Sequence, residues 1–269
     1  MGIVLRNVSY KHSPYDKQYF FNNINLEIDD NTICGIIGKS GSGKTTLLEI
    51  IAGINKPTNG EVLINYIDIN KEYYRKNIGV VFQFPEEQFF EINVKREIEF
   101  AAKNYCIKRS KLKEVLKVVG LEESILTRKL DSLSNGEKRL VAIASILIYN
   151  PKIILFDEPT IGLDYKNKKK VINLIKTLKN RYDKTIIVVS HDIDLLYSLC
   201  NDLIVLNDGK VILYGDSDSV FNEIDTIKKY DIQVPRILKF TNYLKDTKDI
   251  KLLPCKTIND LIKEVYRNV

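Results

Sequence analysis

Gly38-Lys39-Ser40-Gly41-Ser42-Gly43-Lys44-Thr45 decides the architecture of this chain. The stretch fits the pattern G-x-x-x-x-G-K-[ST] without departure, between an apolar run at Ile33–Ile37 and a helical pattern from Thr46 to Ile51. Strand, loop and helix in that order are what a phosphate loop requires. Its glycines let the backbone curl so that N–H groups point inward at phosphate oxygens. The helix that follows adds the positive end of its dipole. In this reading Gly38, Lys39, Ser40, Gly41, Ser42, Gly43, Lys44, Thr45 and Thr46 cradle a nucleoside triphosphate. Lys44 reaches the β- and γ-phosphates, and the Thr45 hydroxyl ligates Mg²⁺. A glycine-rich loop without a ligand is the plainer alternative, and the flanks argue against it.

Further along, Lys152-Ile153-Ile154-Leu155-Phe156 ends in Asp157-Glu158. So apolar a run suits a central parallel strand covered on both faces. Asp157 at its tip is placed to hold the Mg²⁺ shell, and Glu158, pointing elsewhere, to orient or deprotonate a water in line with the γ-phosphate. Ahead of this strand stands Leu133-Ser134-Asn135-Gly136-Glu137. Ser134 and Glu137 have capping-box spacing, and a helix N-terminus with serine and glycine makes a second anion site.

Leu133–Glu137 resembles the signature motif of ATP-binding-cassette (ABC) ATPases, usually L-S-G-G-Q. Gln83 after Ile78–Phe82 resembles the family's Q-loop glutamine, Gly162-Leu163-Asp164 its D-loop, and Ser190-His191-Asp192 its switch histidine. Together, in order, these motifs are far more specific than any one alone. The resemblance implies an α/β phosphate-loop NTPase of the ABC ATPase fold: a RecA-like core, an N-terminal antiparallel β subdomain and a helical signature subdomain at about 84–150. It implies ATP and Mg²⁺ as cofactors, with Thr45, Gln83 and Asp157 around the metal and Glu158, His191 and Gln83 in catalysis. It also implies a head-to-tail pair of ATPase domains, in which Ser134 and Gly136 touch the partner's γ-phosphate. The signature departs at Asn135 and Glu137; asparagine tolerates left-handed angles better than other non-glycine residues. Where the family stacks an aromatic on adenine this chain has His12, with Tyr10 and Tyr15 nearby, and the choice among the three stays open.

Phe84-Pro85-Glu86-Glu87-Gln88-Phe89-Phe90-Glu91, Asn7-Val8-Ser9-Tyr10 and Asn25-Leu26-Glu27-Ile28 narrow the resemblance to the second ATPase type of energy-coupling-factor (ECF) importers of vitamins or cobalt and nickel. That implies a peripheral subunit on the cytoplasmic face of the cell membrane. An integral scaffold subunit docks near Gln83–Glu91, against exposed Phe89 and Phe90, and a separate membrane subunit binds the cargo. A heterodimer with a related ATPase is favoured over a homodimer. The ABC domain is expected over residues 1–221 and a helical dimerisation region over 222–269, where Thr257-x-x-Asp260 caps a final helix. A conventional ABC transporter subunit is the alternative. DNA-maintenance ATPases need a long coiled coil between phosphate loop and signature, and ABC translation factors carry two cassettes; neither fits.

Composition agrees. At 269 residues, 44% hydrophobic and 28% charged, the chain reads as one large globular domain with a small appendage. No apolar run of about 18 residues is present, and no signal peptide is expected at the N-terminus. The net charge of +6 is spread along the chain, so a solvated surface is expected and not a nucleic-acid face. Cys34, Cys106, Cys200 and Cys255 lie far apart, which favours reduced thiols and no zinc site. Asn59-Gly60 and Asp208-Gly209 read as turns, the second as a hairpin. Leu112, Val115, Leu116 and Val119 share one helical face stopped by Gly120.

Overall fold

The structure is a computed structural model that describes residues 2–69, 76–84, 88–107, 111–248 and 252–268. The chain opens with β1 (Ile3–Tyr10), β2 (Phe21–Ile28), β3 (Ile33–Gly38), α1 (Lys44–Ile51), β4 (Asn59–Ile64), β5 (Ile67–Asp68) and β6 (Ile78–Val81). The helices α2 (Val94–Asn104), α3 (Lys111–Val119) and α4 (Asn135–Leu147) follow, then β7 (Ile153–Asp157), α5 (Tyr165–Tyr182) and β8 (Thr185–Val189). After them come α6 (Ile193–Leu199), β9 (Asp202–Asn207), β10 (Lys210–Asp216), α7 (Ser217–Asn222), α8 (Ile224–Lys229), α9 (Arg236–Lys248) and α10 (Ile258–Asn268). The chain packs as two compact units, Met1–Thr32 with Thr45–Val189 and Ile33–Lys44 with Ser190–Val269.

In the first unit, β2, β1, β4 and β5 form an antiparallel sheet in that order. Alternation selects its buried face: Ile24, Leu26 and Ile28 point inward while Asn25 and Glu27 stay exposed. Strand β2 begins earlier than its apolar alternation suggests, because Phe21 is buried and pairs with Tyr10. The expected turn at Asn59-Gly60 is corrected: both residues open β4. Gly60 takes φ 81°, and a Cβ there would lie 2.3 Å from the Asn7 carbonyl oxygen. Gly60 therefore admits the irregular stretch of β1 that carries Asn7 at φ 50°, where the β1–β4 register shifts. An Asn-Gly pair serves a bulge as readily as a turn, because both need a positive φ.

The same unit holds a parallel set in the order β8, β7, β6, with β7 buried along its whole length. Helix α3 buries Leu112, Val115, Leu116 and Val119 as expected, and Gly120 ends it at φ 74°. Just before β8, Lys184 is only 2% exposed, and its ammonium donates to Asn150 Oδ1 at 2.6 Å. Burial, and secondarily the charge of Lys152, pull its pKa down to about 8. Between there and the ordinary lysine value, the unfolded chain binds a proton that the folded chain does not, so this group makes stability rise with pH. We expect Lys184→Met to lose that rise. The parent should gain about 1–2 kcal/mol on the variant between about pH 8 and 10.5, after allowance for solvent screening. Urea unfolding of both at several pH values measures this, and a pH-independent difference would contradict it.

In the second unit, β9 runs parallel to β3 and antiparallel to β10. Asp208 (φ 45°) and Gly209 (φ 70°) make the expected two-residue hairpin, with positive φ at both central positions. The C-terminal helices are tied to this unit by polar contacts. The Arg236 backbone N–H and Nε donate to the two carboxylate oxygens of Asp194 at 2.7 and 2.6 Å, and Lys256 Nζ bonds Ser217 Oγ at 2.6 Å. Thr257 caps α10 through the Asp260 N–H at 3.2 Å, as its spacing predicts. Ile258, Ile262 and Tyr266 form an exposed stripe along α10. Cys34, Cys200 and Cys255 are buried thiols and Cys106 is exposed, all four free. Among the described residues no helix is long and apolar enough to cross a membrane.

Candidate functional site

The second unit carries the loop from Gly38, where β3 ends, to Lys44, where α1 starts. Lys44 folds back over it and donates to the carbonyl oxygens of Gly38 and Lys39, each at 2.9 Å. One side chain thus closes the loop into a ring. Gly41 at φ 78° and Gly43 at φ 102° supply the left-handed turns. Gly38 is required for space, since a Cβ would meet Leu206 O at 2.3 Å. Ser42 is buried, with its Oγ unbonded among the described residues, whereas Ser40 is exposed and Lys39 pairs with Asp231 at 3.3 Å. His191 is exposed, between buried Ser190 and Asp192, which N-caps α6 through the Leu195 N–H.

In the first unit the Thr45 hydroxyl donates to Asp157 Oδ2 at 3.1 Å, uniting two predicted residues 112 positions apart. Thr46 is half-buried one residue on. Glu158 is 7% exposed and held at φ 46°, a left-handed conformation unusual for glutamate, while its N–H donates to Val189 O at 2.9 Å. Strain of this kind, about 1–3 kcal/mol, persists where the surroundings over-determine it and gathers at functional sites.

The signature segment forms the capping box that its spacing predicts. Ser134 Oγ accepts from the Glu137 N–H at 3.3 Å, and the Glu137 carboxylate accepts from the Ser134 N–H at 2.8 Å. That backbone bond, with help from Arg128, holds the Glu137 carboxyl below its ordinary pKa. Asn135 opens α4 without a positive φ, so this departure needs no special backbone angle. Gly136 faces Asn167 of α5 so closely that a Cβ would come within 2.5 Å of its amide. Asn167 is itself fixed by Asp164, through its N–H at 2.8 Å and Nδ2 at 3.0 Å.

Gln83 is half-buried. Sequence reasoning missed what holds it. Arg139, 4% exposed, donates through Nη1 to the carbonyls of Phe82 and Gln83 at 3.1 and 2.7 Å, and through Nη2 to Ile161 O at 3.4 Å. A signal was available, because Arg139 falls on the buried stripe of α4 with Gly136, Leu140, Ile143 and Ala144. Of the residues beyond Gln83, Phe90 is exposed as expected, at 78%, and its ring meets that of Phe100. Phe89 is corrected to half-buried, because Glu97 accepts from the N–H groups of Phe90 and Glu91, at 3.0 Å each, and folds the segment back. Pro85, Glu86 and Glu87 lie outside the described residues. A groove of 430 Å³ next to Phe90 is lined by Glu91, Arg96, Glu99, Phe100 and Lys103, among others. Of the adenine candidates, His12 packs on Phe20 and Tyr10, and Tyr15 is 94% exposed.

Residues 21–161 match the ABC transporter family. The chain is 36% identical to the energy-coupling factor transporter ATP-binding protein EcfA2 of Clostridium acetobutylicum, over 99% of this chain and 98% of that one. Its fold is similar to that of cbiO1 from Clostridium perfringens, described as part of the ABC transporter complex cbiONQ. There the TM-score is 0.76 and the identity 32%, covering 89% of this chain and 98% of the other. It is also similar to the ATP-binding cassette MJ0796 in a dimeric post-hydrolysis state bound to ADP and Pi. That match has a TM-score of 0.71 and 34% identity, over 80% of this chain and 98% of that one. A ring-closed phosphate loop, a threonine hydroxyl on a strand-tip aspartate and a capped signature helix thus occur in a chain that belongs to the ABC transporter family, among the ATP-binding proteins of energy-coupling factor transporters.

Proposed function

We propose that this chain is an ATPase subunit that drives an energy-coupling-factor importer for vitamins or transition-metal ions from the cytoplasmic face of the membrane. The observation that carries the chemistry is the Thr45–Asp157 hydrogen bond, in the residue next to the ring-closing Lys44. Hydroxyl and carboxylate oxygens are the hard donors that Mg²⁺ prefers, and a few protein ligands with the rest left to water and phosphate is its usual share. Thr45 and Asp157, with Gln83, would hold the ion, which when bound offsets charge on the phosphates.

Gly38 through Thr46 bind the phosphates with backbone N–H groups and the Lys44 ammonium. Glu158 accepts the proton of the attacking water, while His191 and Gln83 fix that water's geometry. Ser134 and Gly136 contact the γ-phosphate held by a second ATPase subunit, a related chain by preference. The dimeric cassette bound to ADP and Pi supports this arrangement for a relative. The exposed stripe of α10 supports assigning residues 222–269 to dimerisation. Phe90, Phe100 and the charged groove beside them suit an amphipathic helix of the integral scaffold subunit, and a further membrane subunit supplies the cargo.

Co-purification of the tagged chain from its native membrane, with mass spectrometry of what it retains, tests this reading. A related ATPase and a small integral scaffold protein are expected. Ribosomes, DNA-repair proteins or nothing at all would overturn the transporter assignment. We further expect Phe90→Asp to weaken scaffold retention at least tenfold, on the scale of an aromatic hot spot, with nucleotide binding unchanged. Undiminished retention would remove Phe90 from the interface.

A further inference from the structure

The proposed roles of Gln83 and Glu158 leave Arg139 unused. Its guanidinium is buried on the apolar stripe of α4, where a leucine would pack without desolvation cost. Instead its two Nη groups donate to main-chain carbonyls from two other segments. Two of these belong to Phe82 and to Gln83 itself, at the exit of β6. The third belongs to Ile161, whose own N–H donates to the carbonyl of Glu158 at 3.2 Å. One planar, fork-shaped group therefore joins the helix capped by Ser134, the backbone from which the Gln83 side chain projects, and the turn after Glu158. Lysine cannot do this, because an ammonium is a compact donor without the fork that spans two segments.

We propose that Arg139 is a positioning residue: it fixes the Gln83 backbone to the signature helix, so that the glutamine reaches its working position only when α4 is in its own. This rests on the reading that Gln83 acts at the nucleotide. Arg139 acts through Gln83 and touches no reacting atom. Its loss should therefore lower turnover, leave ATP binding alone and have little further effect once Gln83 is gone.

A double-mutant cycle on the full-length chain tests this, with ATP turnover measured at saturating Mg·ATP, KM for ATP and thermal unfolding for each protein. Arg139→Lys keeps the buried charge and part of the bonding, so it preserves the fold; Arg139→Met, which removes both, is the stronger second variant. In the parental background Arg139→Lys is expected to lower kcat about 5- to 20-fold with KM changed less than about twofold. In the Gln83→Ala background the same substitution should lower kcat by less than about twofold. An equal loss of kcat in both backgrounds, or a raised KM at unchanged kcat, would overturn the proposal and leave Arg139 a structural tether. If Gln83→Ala by itself turns over at the parental rate, the reading beneath it falls too, which separates the two failures.

Discussion

Replacing Glu158 with Gln should slow ATP turnover by about 10²- to 10⁴-fold while ATP binds as tightly as before. The reason lies in what the substitution keeps. Glutamine has the same length and the same Cβ, so it meets the left-handed backbone at φ 46° with the strain unchanged, and the N–H bond to Val189 O remains. An amide can still orient a water, but it cannot take up the water's proton. Only the step that needs a base is lost, and the magnitude is that of a general base. Single-turnover hydrolysis alongside nucleotide titration separates the two quantities. Hydrolysis at the parental rate would remove Glu158 from the role of base.

The second large effect is the opposite case, loss of binding. Lys44→Ala should weaken ATP binding by about 100-fold or more, since hydrogen bonds to charged groups are worth about 1.5–3 kcal/mol each. Folding should barely register the change. Two bonds that Lys44 donates end on carbonyls of half-buried Gly38 and exposed Lys39, which water can satisfy, so about 1 kcal/mol or less of stability is at stake in them. Calorimetric titration with ATP and a urea melt of the same sample give both numbers. Parental affinity in a folded Lys44→Ala protein would rule out the phosphate-binding role.

What could be read from the residues alone was what is local or patterned. The phosphate loop, the strand ending in Asp157-Glu158, the Ser134–Glu137 capping box and the Asp208-Gly209 hairpin each declare themselves within about eight positions. The Thr45–Asp157 bond was foreseeable only because two such local motifs have roles that must meet. What was not legible depends on partners far along the chain. Gly60 looked like a turn, because nothing in Asn59-Gly60 reveals that Asn7 approaches it from another strand. Phe89 and Phe90 are chemically alike, and it is the Glu97 carboxylate that leaves one half-buried and the other outside. The sequence of α4 shows only that Arg139 falls on its buried stripe; its importance rests on carbonyls of residues 82, 83 and 161.

The close approach of Gly136 to Asn167 ties the histories of two positions 31 residues apart. A side chain can appear at 136 only if the one at 167 shrinks or swings away, and Asn167 is not at liberty to swing while Asp164 holds both its N–H and its amide. A side chain at 136 therefore requires either a smaller residue at 167 or a loosened turn at Asp164. Positions 136 and 167 are therefore expected to change together and not singly.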